Sequence, residues 1–270
     1  MKETVYFLPA HERASIAFLA DTHNIDPYSI VASLKAHHLD IITISGDILI
    51  GRRPVNDELI VKTQDNVLPL ISNCVSIAPT FISLGNHEWM ICPEDIVTLE
   101  STGAVVLDNR FISHTVNGMR IWVGGLTSAI VTNFQQFREK EGGRYPYRPR
   151  RSHPSHLDTN SRWIPDFEKQ DGYKVLLCHH PEYWSLREPW LSEKQIDLVL
   201  SGHAHGGQIR LFGRGLFAPD QGWMPEYTSG VYKGDHGSMV VSRGLSNTAS
   251  PIPRLFNDPE IVYVEVGVDD

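Results

Sequence analysis

Short, almost wholly apolar runs recur along the chain, and most of them end at a polar residue. The first run covers residues 14–20 and is typical of a β-strand that is buried on both faces. Further strands of this kind are predicted over 40–45, 80–84, 173–178 and 196–200. Helices are predicted over 27–38, 57–74, 93–101 and 182–193. Pro69 is expected to kink or split the second helix. This alternation of strands and helices predicts an α/β fold.

The remaining stretches are less regular. Strands over 105–107 and 120–124 lie on either side of the turn-like pair Asn117-Gly118. Residues 134–163 are polar, with several arginines and prolines, and predict a long loop or insertion with little regular structure. The glycine-rich last third predicts tight turns and strands, most clearly over 238–242 and 261–266. Because no repeat or linker divides the chain, we predict a single domain over residues 1–270.

Composition narrows the class of protein. Of the 270 residues, 41% are apolar and 21% are charged, as in an ordinary soluble globular protein. The net charge of -8 disfavours indiscriminate binding to nucleic acid or anionic membranes. Three scattered cysteines favour a reducing compartment without a disulfide framework. No run approaches the ~18 apolar residues of a membrane span. Residues 1–4, Met-Lys-Glu-Thr, carry an acid where a signal peptide needs a basic segment followed by an apolar one, so we predict a cytoplasmic protein.

Residue types that bind metals follow five of the predicted strands. They are Asp21 and His23, then Asp47, then Asn86 and His87, then His179, and finally His203 and His205. The last two stand among glycines in residues 201–208, where the absence of Cβ atoms permits a close approach to the backbone. In open α/β sheets, ligands bind beyond the carboxyl ends of the strands, so these side chains are expected to converge. Five strand ends with the same chemistry favour a metal site over a chance arrangement.

The order of these motifs carries a family resemblance. Asp-x-His, Gly-Asp, Gly-Asn-His-Glu, His and Gly-His-x-His resemble the calcineurin-like metallophosphoesterases over essentially the whole chain. Residues 202–208, 242–245 and 254–257 look like the YkuE/YaeI-like bacterial branch. The resemblance implies a four-layer sandwich of two β-sheets flanked by helices, with a two-metal site at the sheet edge. The chain departs from many relatives after Asp47, where Ile48 to Gly51 bring no further Asp, and no N-terminal anchor or export signal is expected.

The resemblance also implies a role for each polar strand end. A first metal ion would be bound by Asp21, His23 and His205. A second would be bound by Asn86, His179 and His203, with Asp47 bridging both ions. His87 would lie beside them as a proton donor. Imidazole and oxygen ligands without a thiolate suit two divalent ions of Mn, Fe or Zn.

Charge supports an anionic substrate. Two divalent ions and the carboxylates of Asp21 and Asp47 sum to about +2, or about +1 with a bridging hydroxide. The neutral Asn86 preserves this surplus for a phosphoryl group. We therefore predict a metal-dependent phosphoesterase that hydrolyses small phosphomonoesters or phosphodiesters by attack of that hydroxide. A cyclic-nucleotide or nucleic-acid phosphodiesterase is the alternative, although no basic, aromatic-studded face for nucleic acid is evident. A non-catalytic scaffold of this fold is a third interpretation.

The sequence allows more than one role for several other polar residues. Arg243 follows a predicted strand and either contacts the substrate phosphate or forms a structural ion pair. Glu88 either orients a neighbouring side chain or caps a helix, and His180 is expected on the opposite side of the strand from His179. Seven Lys or Arg residues and three acids lie between Phe134 and Trp163, so this segment is either solvated surface or a lid that attracts anions.

Overall fold

Two six-stranded mixed β-sheets form the centre of the computed structural model, which describes residues 1–54, 57–146, 159–246 and 253–267. The first sheet has the order β1 (Lys2–Leu8), β16 (Glu260–Val266), β2 (Ala14–Leu19), β3 (Ile41–Ser45), β4 (Thr80–Ser83) and β5 (Val105–Val106). The second has the order β14 (Gly230–Lys233), β15 (Ser238–Val241), β9 (Leu198–Ser201), β8 (Tyr173–Cys178), β7 (Met119–Leu126) and β6 (Arg110–Val116). Strands β2 to β5 run parallel, as do β7, β8, β9 and β15.

Alternate residues of each central strand bury opposite faces of its sheet. In β2, Ile16 and Phe18 join the apolar cluster that both sheets share, together with Val175 and Leu177 of β8. Leu19 of β2 faces the other way, into a cluster with the helices. Strands with two buried faces explain why the sequence shows continuous apolar runs in place of alternation.

Helices and short turns cover the outer faces. The helices are α1 (Tyr28–Lys35), α2 (Val67–Ile77), α3 (Pro93–Glu100), α4 (Ala129–Glu141) and α5 (Ile164–Glu168). Side chains of α1 to α4 pack in the cluster on the outer face of the first sheet, and α5 packs on the second. The resulting order of helices, sheet, sheet and helix confirms the predicted four-layer α/β sandwich. None of the helices in the described ranges is long and apolar enough to cross a membrane.

Three of the predicted elements are wrong in detail. The polar segment from Phe134 begins inside α4, because Phe134 is on the buried face of that helix and packs its ring 5.1 Å from that of Trp89. The polar residues of α4 form its solvent-facing side, which composition alone does not separate from a loop. Residues 147–158 of the same segment lie outside the described ranges.

The other two corrections involve proline. The helix predicted over 57–74 begins at Val67, so Pro69 lies in its first turn, where no N–H is required, and does not kink it. The helix predicted over 182–193 is replaced by 3₁₀ turns at Pro181–Tyr183 and Leu191–Glu193, separated by a stretch that contains Pro189. Strand β1 was not predicted at all.

Two short hairpins extend from the end of the second sheet that carries the Gly-His-x-His motif. The first pairs β10 (Arg210–Leu211) with β11 (Arg214–Gly215), and the second pairs β12 (Phe217–Ala218) with β13 (Gly222–Trp223). The N–H of Leu216, between the hairpins, donates to the carbonyl of Gly207. Both hairpins are therefore attached directly to the loop of the motif.

Candidate metal centre

The carboxyl ends of β2, β3 and β4 meet those of β8 and β9 at one edge of the sandwich. The loops are bonded across the two sheets: the Ser45 hydroxyl donates to the Leu200 carbonyl at 2.7 Å, and the His203 N–H donates to the Asp21 carboxylate. Residues as far apart in the chain as Asp21 and His203, with a separation of 182 residues, therefore share one site.

The first group of candidate ligands is Asp21, His23 and His205, whose ligand atoms all lie within 4.8 Å of one another. His205 Nε2 lies 3.5 Å and His23 Nε2 4.0 Å from Asp21 Oδ1. His23 Nδ1 lies 3.0 Å from the Leu49 carbonyl and donates its hydrogen to it, which leaves the Nε2 lone pair directed at the group. The structure thus brings together the three residues predicted for a first metal ion.

The second group is Asp47, His179 and His203, which meet the same distance criterion. His179 Nε2 lies 3.1 Å from Asp47 Oδ2, while its Nδ1 donates to the Ser45 carbonyl at 2.7 Å. Asp47 also belongs to a group with His23, whose Nε2 is 3.8 Å from Asp47 Oδ2. Asp47 therefore lies between the two sets, as a bridging ligand must.

Charges in this edge are tightly packed and almost fully buried. Although burial opposes it, the neighbouring His179 holds the pKa of Asp47 well below its usual range. Burial lowers the pKa of His179, but the charge of Asp47 and the hydrogen bond to it outweigh burial and raise this pKa to about 10. Burial lowers the pKa of His23 to about 4 and that of His205 to about 3. The last two are therefore neutral imidazoles at physiological pH, the form in which His binds metals.

Three buried polar atoms at this edge test whether a cation fits. His23 Nε2, His179 Nε2 and Asn86 Oδ1 have no hydrogen-bond partner among the described residues. A buried polar atom without a partner costs ~1–3 kcal/mol. His23 Nε2 and Asn86 Oδ1 offer lone pairs of a type that binds Mn, Fe or Zn. His179 Nε2 faces Asp47 Oδ2 at 3.1 Å and would offer its lone pair once a metal ion displaces its proton. The residues present therefore fit divalent metal ions, and Asn86 as a ligand of the second ion stays a prediction.

His87 contacts the site from a more exposed position, with 29% of its side chain accessible. Its Nε2 lies 3.9 Å from Asp47 Oδ2, and its Nδ1 accepts the Gly51 N–H at 3.0 Å. The hydrogen of the neutral ring is therefore on Nε2, the atom that faces Asp47. This orientation suits a side chain that donates a proton into the site.

The ligand loops have an unusual backbone. Five of the seven predicted ligands have a positive φ, between 41° and 65°: Asp21, His23, Asp47, His203 and His205. Such conformations cost roughly 1–3 kcal/mol each and persist only where the surroundings enforce them. Gly85 contributes, since a Cβ there would lie 2.4 Å from Asp47 Oδ1. These side chains are held in place by the fold and not by local preference.

Glu88 holds two of the loops together. It is 1% exposed; its Oε2 accepts the N–H groups of Asp47 and Gly85, and its Oε1 accepts that of Leu49, at 2.8–2.9 Å. Burial, followed by the charge of Asp47, raises the pKa of Glu88 to about 7. Of the two interpretations from sequence, orientation of a neighbouring ligand is the closer, although Glu88 acts on the backbone of the Asp47 loop. The same side chain also caps the short turn that begins at Asn86.

Behind the second group lies a polar cluster that the sequence did not reveal. Asp220 Oδ2 lies 3.1 Å from His203 Nε2 and 3.8 Å from His180 Nδ1. Glu182, which is buried, lies 3.9 Å from the same His180 atom, whereas the Asp220 side chain is 36% exposed. Burial lowers the pKa of His203, but the hydrogen bond to Asp220 and nearby carboxylates outweigh it, so the pKa is raised above its ordinary value. Asp220 is 17 residues from His203 in a glycine-rich stretch, and nothing in its spacing pointed to the site.

The segment after residue 253 also supports the His205 loop. The Asn257 side chain donates to the His205 carbonyl at 2.7 Å, and Arg254 Nη2 donates to His205 Nδ1 at 3.2 Å. Both residues belong to the 254–257 motif, whose function was not assigned from sequence. The presence of this motif in the sequence was the signal that could have identified Arg254 and Asn257 as residues near the site.

Arg243 is directed to a different neighbour. The Arg243 side-chain Nε lies 3.6 Å from the buried carboxylate of Glu260. The backbone N–H of Arg243 donates to the same carboxylate at 3.0 Å. This contact is the structural ion pair weighed as the alternative, and a substrate contact of Arg243 stays a prediction. In the arginine-rich segment, Arg144 lies 3.7 Å from Asp57, whereas Arg148, Arg150 and Arg151 lie outside the described residues.

Comparison with known proteins gives the same picture. A family model for the calcineurin-like phosphoesterases matches residues 14–207. The chain is 27% identical to the phosphodiesterase YaeI of Escherichia coli over 270 residues, which cover 93% of this chain and 81% of YaeI. It is 37% identical to the uncharacterised metallophosphoesterase YkuE of Bacillus subtilis over 90 residues, 33% of this chain and 29% of YkuE. Other curated relatives match most of this chain but differ in their own length. The match covers 48% of the length of one of them and 86% of the length of another.

Solved structures share the fold. TT1561 of Thermus thermophilus superimposes with a TM-score of 0.50 and 13% identity over 87% of this chain and 92% of that one. The matched family model spans β2 to the Gly-His-x-His loop, and thus all seven candidate ligands and His87. The likeness to YaeI and YkuE agrees with the branch that the motifs indicated. The chain belongs to the calcineurin-like phosphoesterase family.

Proposed function

We propose that this protein hydrolyses phosphoesters with two divalent ions, one in each group of candidate ligands. The observation that carries the proposal is the pair of groups around Asp47, together with the three buried atoms of His23, Asn86 and His179 that lack partners. The two groups take their members from four of the five strand ends that the sequence indicated, and Asn86 and His87 follow the fifth. Bound ions would polarise the phosphoryl oxygens and acidify a water molecule.

The protein residues determine which substrate charge the site accepts. Asp21 and Asp47 are the two carboxylates among the seven proposed ligands, and the other five are neutral or become neutral on metal binding. Two divalent ions would therefore leave a net positive site, which selects an anionic group such as a phosphoryl. The buried walls around Asp21 and Asp47 keep this charge weakly screened.

His87 is proposed as the proton donor to the departing oxygen. Its Nε2 is the donor atom, on the side of Asp47. The neutral ring accepts the Gly51 N–H at Nδ1, so a ring that donates a proton must first bind a second proton at Nδ1 and give up that hydrogen bond. Its partial exposure leaves room for a substrate next to the ring. The ring also lies edge-on to His23, with centroids 4.5 Å apart, which limits its rotation.

Metal content and hydrolysis together test the proposal. We expect close to two divalent ions per chain by elemental analysis after reconstitution, and loss of most of both in Asp47→Ala. Asp166→Ala, at an exposed helix position, serves as the matched control and should keep both. An Asp47→Ala protein that retains one ion at full occupancy would contradict the bridging role.

A panel of candidate phosphoesters should identify the class of substrate. Phosphomonoesters, cyclic nucleotides, dinucleotides and lipid phosphodiesters should be compared with the reconstituted protein, because the loops and not the metal ligands select the leaving group. Hydrolysis that depends on added metal and on Asp47 supports the proposal. A fully loaded protein without turnover on any class would favour the scaffold interpretation.

A further inference from the structure

Beside the second group of candidate ligands lies a third group, whose residues the proposed function does not use. The third group is His180, Glu182 and Asp220. The ligand atoms of His180 and Glu182 lie within 4.8 Å of each other and of His203. Asp220 Oδ2 lies 3.8 Å from His180 Nδ1 and 3.1 Å from His203 Nε2. One imidazole nitrogen and two carboxylates therefore face the same small volume.

The carboxylate of Glu182 is buried, and only one of its oxygens is bonded. Its Oε1 accepts the Gln221 side-chain amide at 2.7 Å, whereas Oε2 has no hydrogen-bond partner among the described residues. The distance of 3.9 Å from Oε2 to His180 Nδ1 is too long for a hydrogen bond. No Lys or Arg in the described part of the chain pairs with Glu182 or Asp220; Arg187 donates to the backbone carbonyl of Asp220 and not to its carboxylate. The charge of Glu182 thus lacks a close counter-ion within the protein.

The ring of His180 is oriented as a metal ligand would be. Its Nε2 lies 2.8 Å from the hydroxyl of Ser128, which can accept the Nε2 hydrogen. Nδ1 then carries a lone pair directed at the two carboxylates. The opposite tautomer would place a hydrogen on Nδ1, but the oxygens of Glu182 and Asp220 are 3.9 and 3.8 Å from that nitrogen, too far for a hydrogen bond to either.

The spacing of the third group is close to that of a bound ion. Nitrogen and oxygen ligands at ~2.0–2.2 Å from a tetrahedral ion lie about 3.3–3.6 Å from one another. The distances of 3.8 and 3.9 Å from His180 Nδ1 exceed this range by a few tenths of an ångström. Asp220 can close the difference, because its side chain is 36% accessible and lies in the turn between β12 and β13. The same exposed side gives an ion a path from solvent.

We propose that the third group binds a further divalent ion, of the class of Zn²⁺ or Mn²⁺, behind the second group. One imidazole with two carboxylates suits these ions and neutralises their charge. The ion would join the loop after β8 to the turn between β12 and β13. Because Asp220 also accepts the Nε2 hydrogen of His203, the ion would help to hold that ring; this effect alone rests on the proposed function.

Equilibrium dialysis against excess Zn²⁺ tests the site. Since Asp220 reaches the third group from an exposed turn, we expect this ion to bind more weakly than the other two. The parent should hold three ions per chain in excess Zn²⁺ and two after gel filtration has removed free metal. Glu182→Gln has nearly the same shape and can still accept the Gln221 amide, so it should hold two ions under both conditions.

Two further variants guard against indirect effects. Glu193→Gln, at an exposed position, is the matched control and should hold as many ions as the parent. His180→Gln removes a different ligand and should lose the same single ion as Glu182→Gln. Thermal unfolding without metal should show that each variant is folded. Equal ion counts for the parent and Glu182→Gln in excess Zn²⁺ would overturn the proposal, because a proton on His180 would then compensate the carboxylates.

Asp47→Ala separates the third group from the two-metal centre. In excess Zn²⁺ this variant should hold one ion more than the double variant Asp47→Ala, Glu182→Gln. Equal counts for these two proteins would show that the third group has no site of its own. A parent with one ion that depends on Glu182, and none that depends on Asp47, would refute the two-ion phosphoesterase proposal and leave the third site supported.

Discussion

The carboxylate of Glu88 should be essential to the metal centre without binding metal. Its two oxygens accept the N–H groups of Asp47, Leu49 and Gly85, and the Leu49 carbonyl in turn accepts the Nδ1 hydrogen of His23. One side chain thus fixes the loop that carries Asp47 and that holds His23 of the first group through the Leu49 carbonyl. We expect changes at Glu88 to weaken metal binding and stability together.

The expected size follows from the number of bonds. Glu88→Gln can keep two of the three N–H donors on its single carbonyl oxygen, but its amide hydrogens then face the third. One buried donor loses its acceptor, which should lower the free energy of unfolding by about 1–3 kcal/mol. Glu88→Ala removes the acceptor from all three, and we expect a loss of roughly 3–6 kcal/mol after water enters the space. Metal affinity should fall roughly 10–100-fold in Glu88→Gln, as for other supports of metal ligands.

Asp95 provides the matched control. It is fully buried and accepts the N–H groups of Val61 and Cys92 as well as the Tyr145 hydroxyl, with no contact to the candidate ligands. Asp95→Asn should therefore lower the free energy of unfolding in urea by a similar amount, while metal affinity from a titration stays at the parent value. A Glu88→Gln protein with parent metal affinity, or an Asp95→Asn protein that loses affinity equally, would refute this account of Glu88.

Three further predictions concern the chemistry and its surroundings. His87→Asn should slow hydrolysis of an alkyl phosphoester by ~10²–10⁴-fold and a nitrophenyl ester much less, at unchanged metal content; equal losses would contradict the proton-donor role. Asp220→Asn should lower the affinity of one of two ions roughly 10–100-fold, measured by metal titration, because Asp220 orients His203; unchanged affinities would show that it does not. Replacing Arg148, Arg150 and Arg151 with Gln should flatten the fall of kcat/KM with added salt and leave kcat nearly unchanged; an identical salt profile would mean that these arginines do not attract substrate.

The ligand residues could be predicted because they occupy strand ends. A strand that is buried on both faces appears in the sequence as a continuous apolar run. A polar residue that follows such a run, such as Asp21 or Asp47, is therefore easy to recognise. Parallel strands then bring these ends to one edge, whatever their separation in the chain. The two-sheet architecture itself was implied by the family resemblance and not by the periodicity.

Features that depend on tertiary contact were not predictable. Strand β1 is half exposed, with Phe7 in solvent, so its pattern lacks the continuous apolar run. Helix α4 has a narrow buried face around Phe134 and a polar remainder, which resembles a loop in composition. Asp220 reaches His203 from a turn whose position is set by the hairpins, and no local signal marks that approach.

The position of β16 has a consequence for how the protein is made. This strand, Glu260–Val266, lies between β1 and β2, parallel to one and antiparallel to the other, so the first two strands to be synthesised do not pair with each other. The N–H groups of Leu245 and Ser246 also bond the carbonyls of Ala20 and Asp21. Until the ribosome has released residue 266, β2 keeps an open edge and Asp21 lacks part of its support. We therefore expect the metal centre to be completed only after residue 266 has left the ribosome.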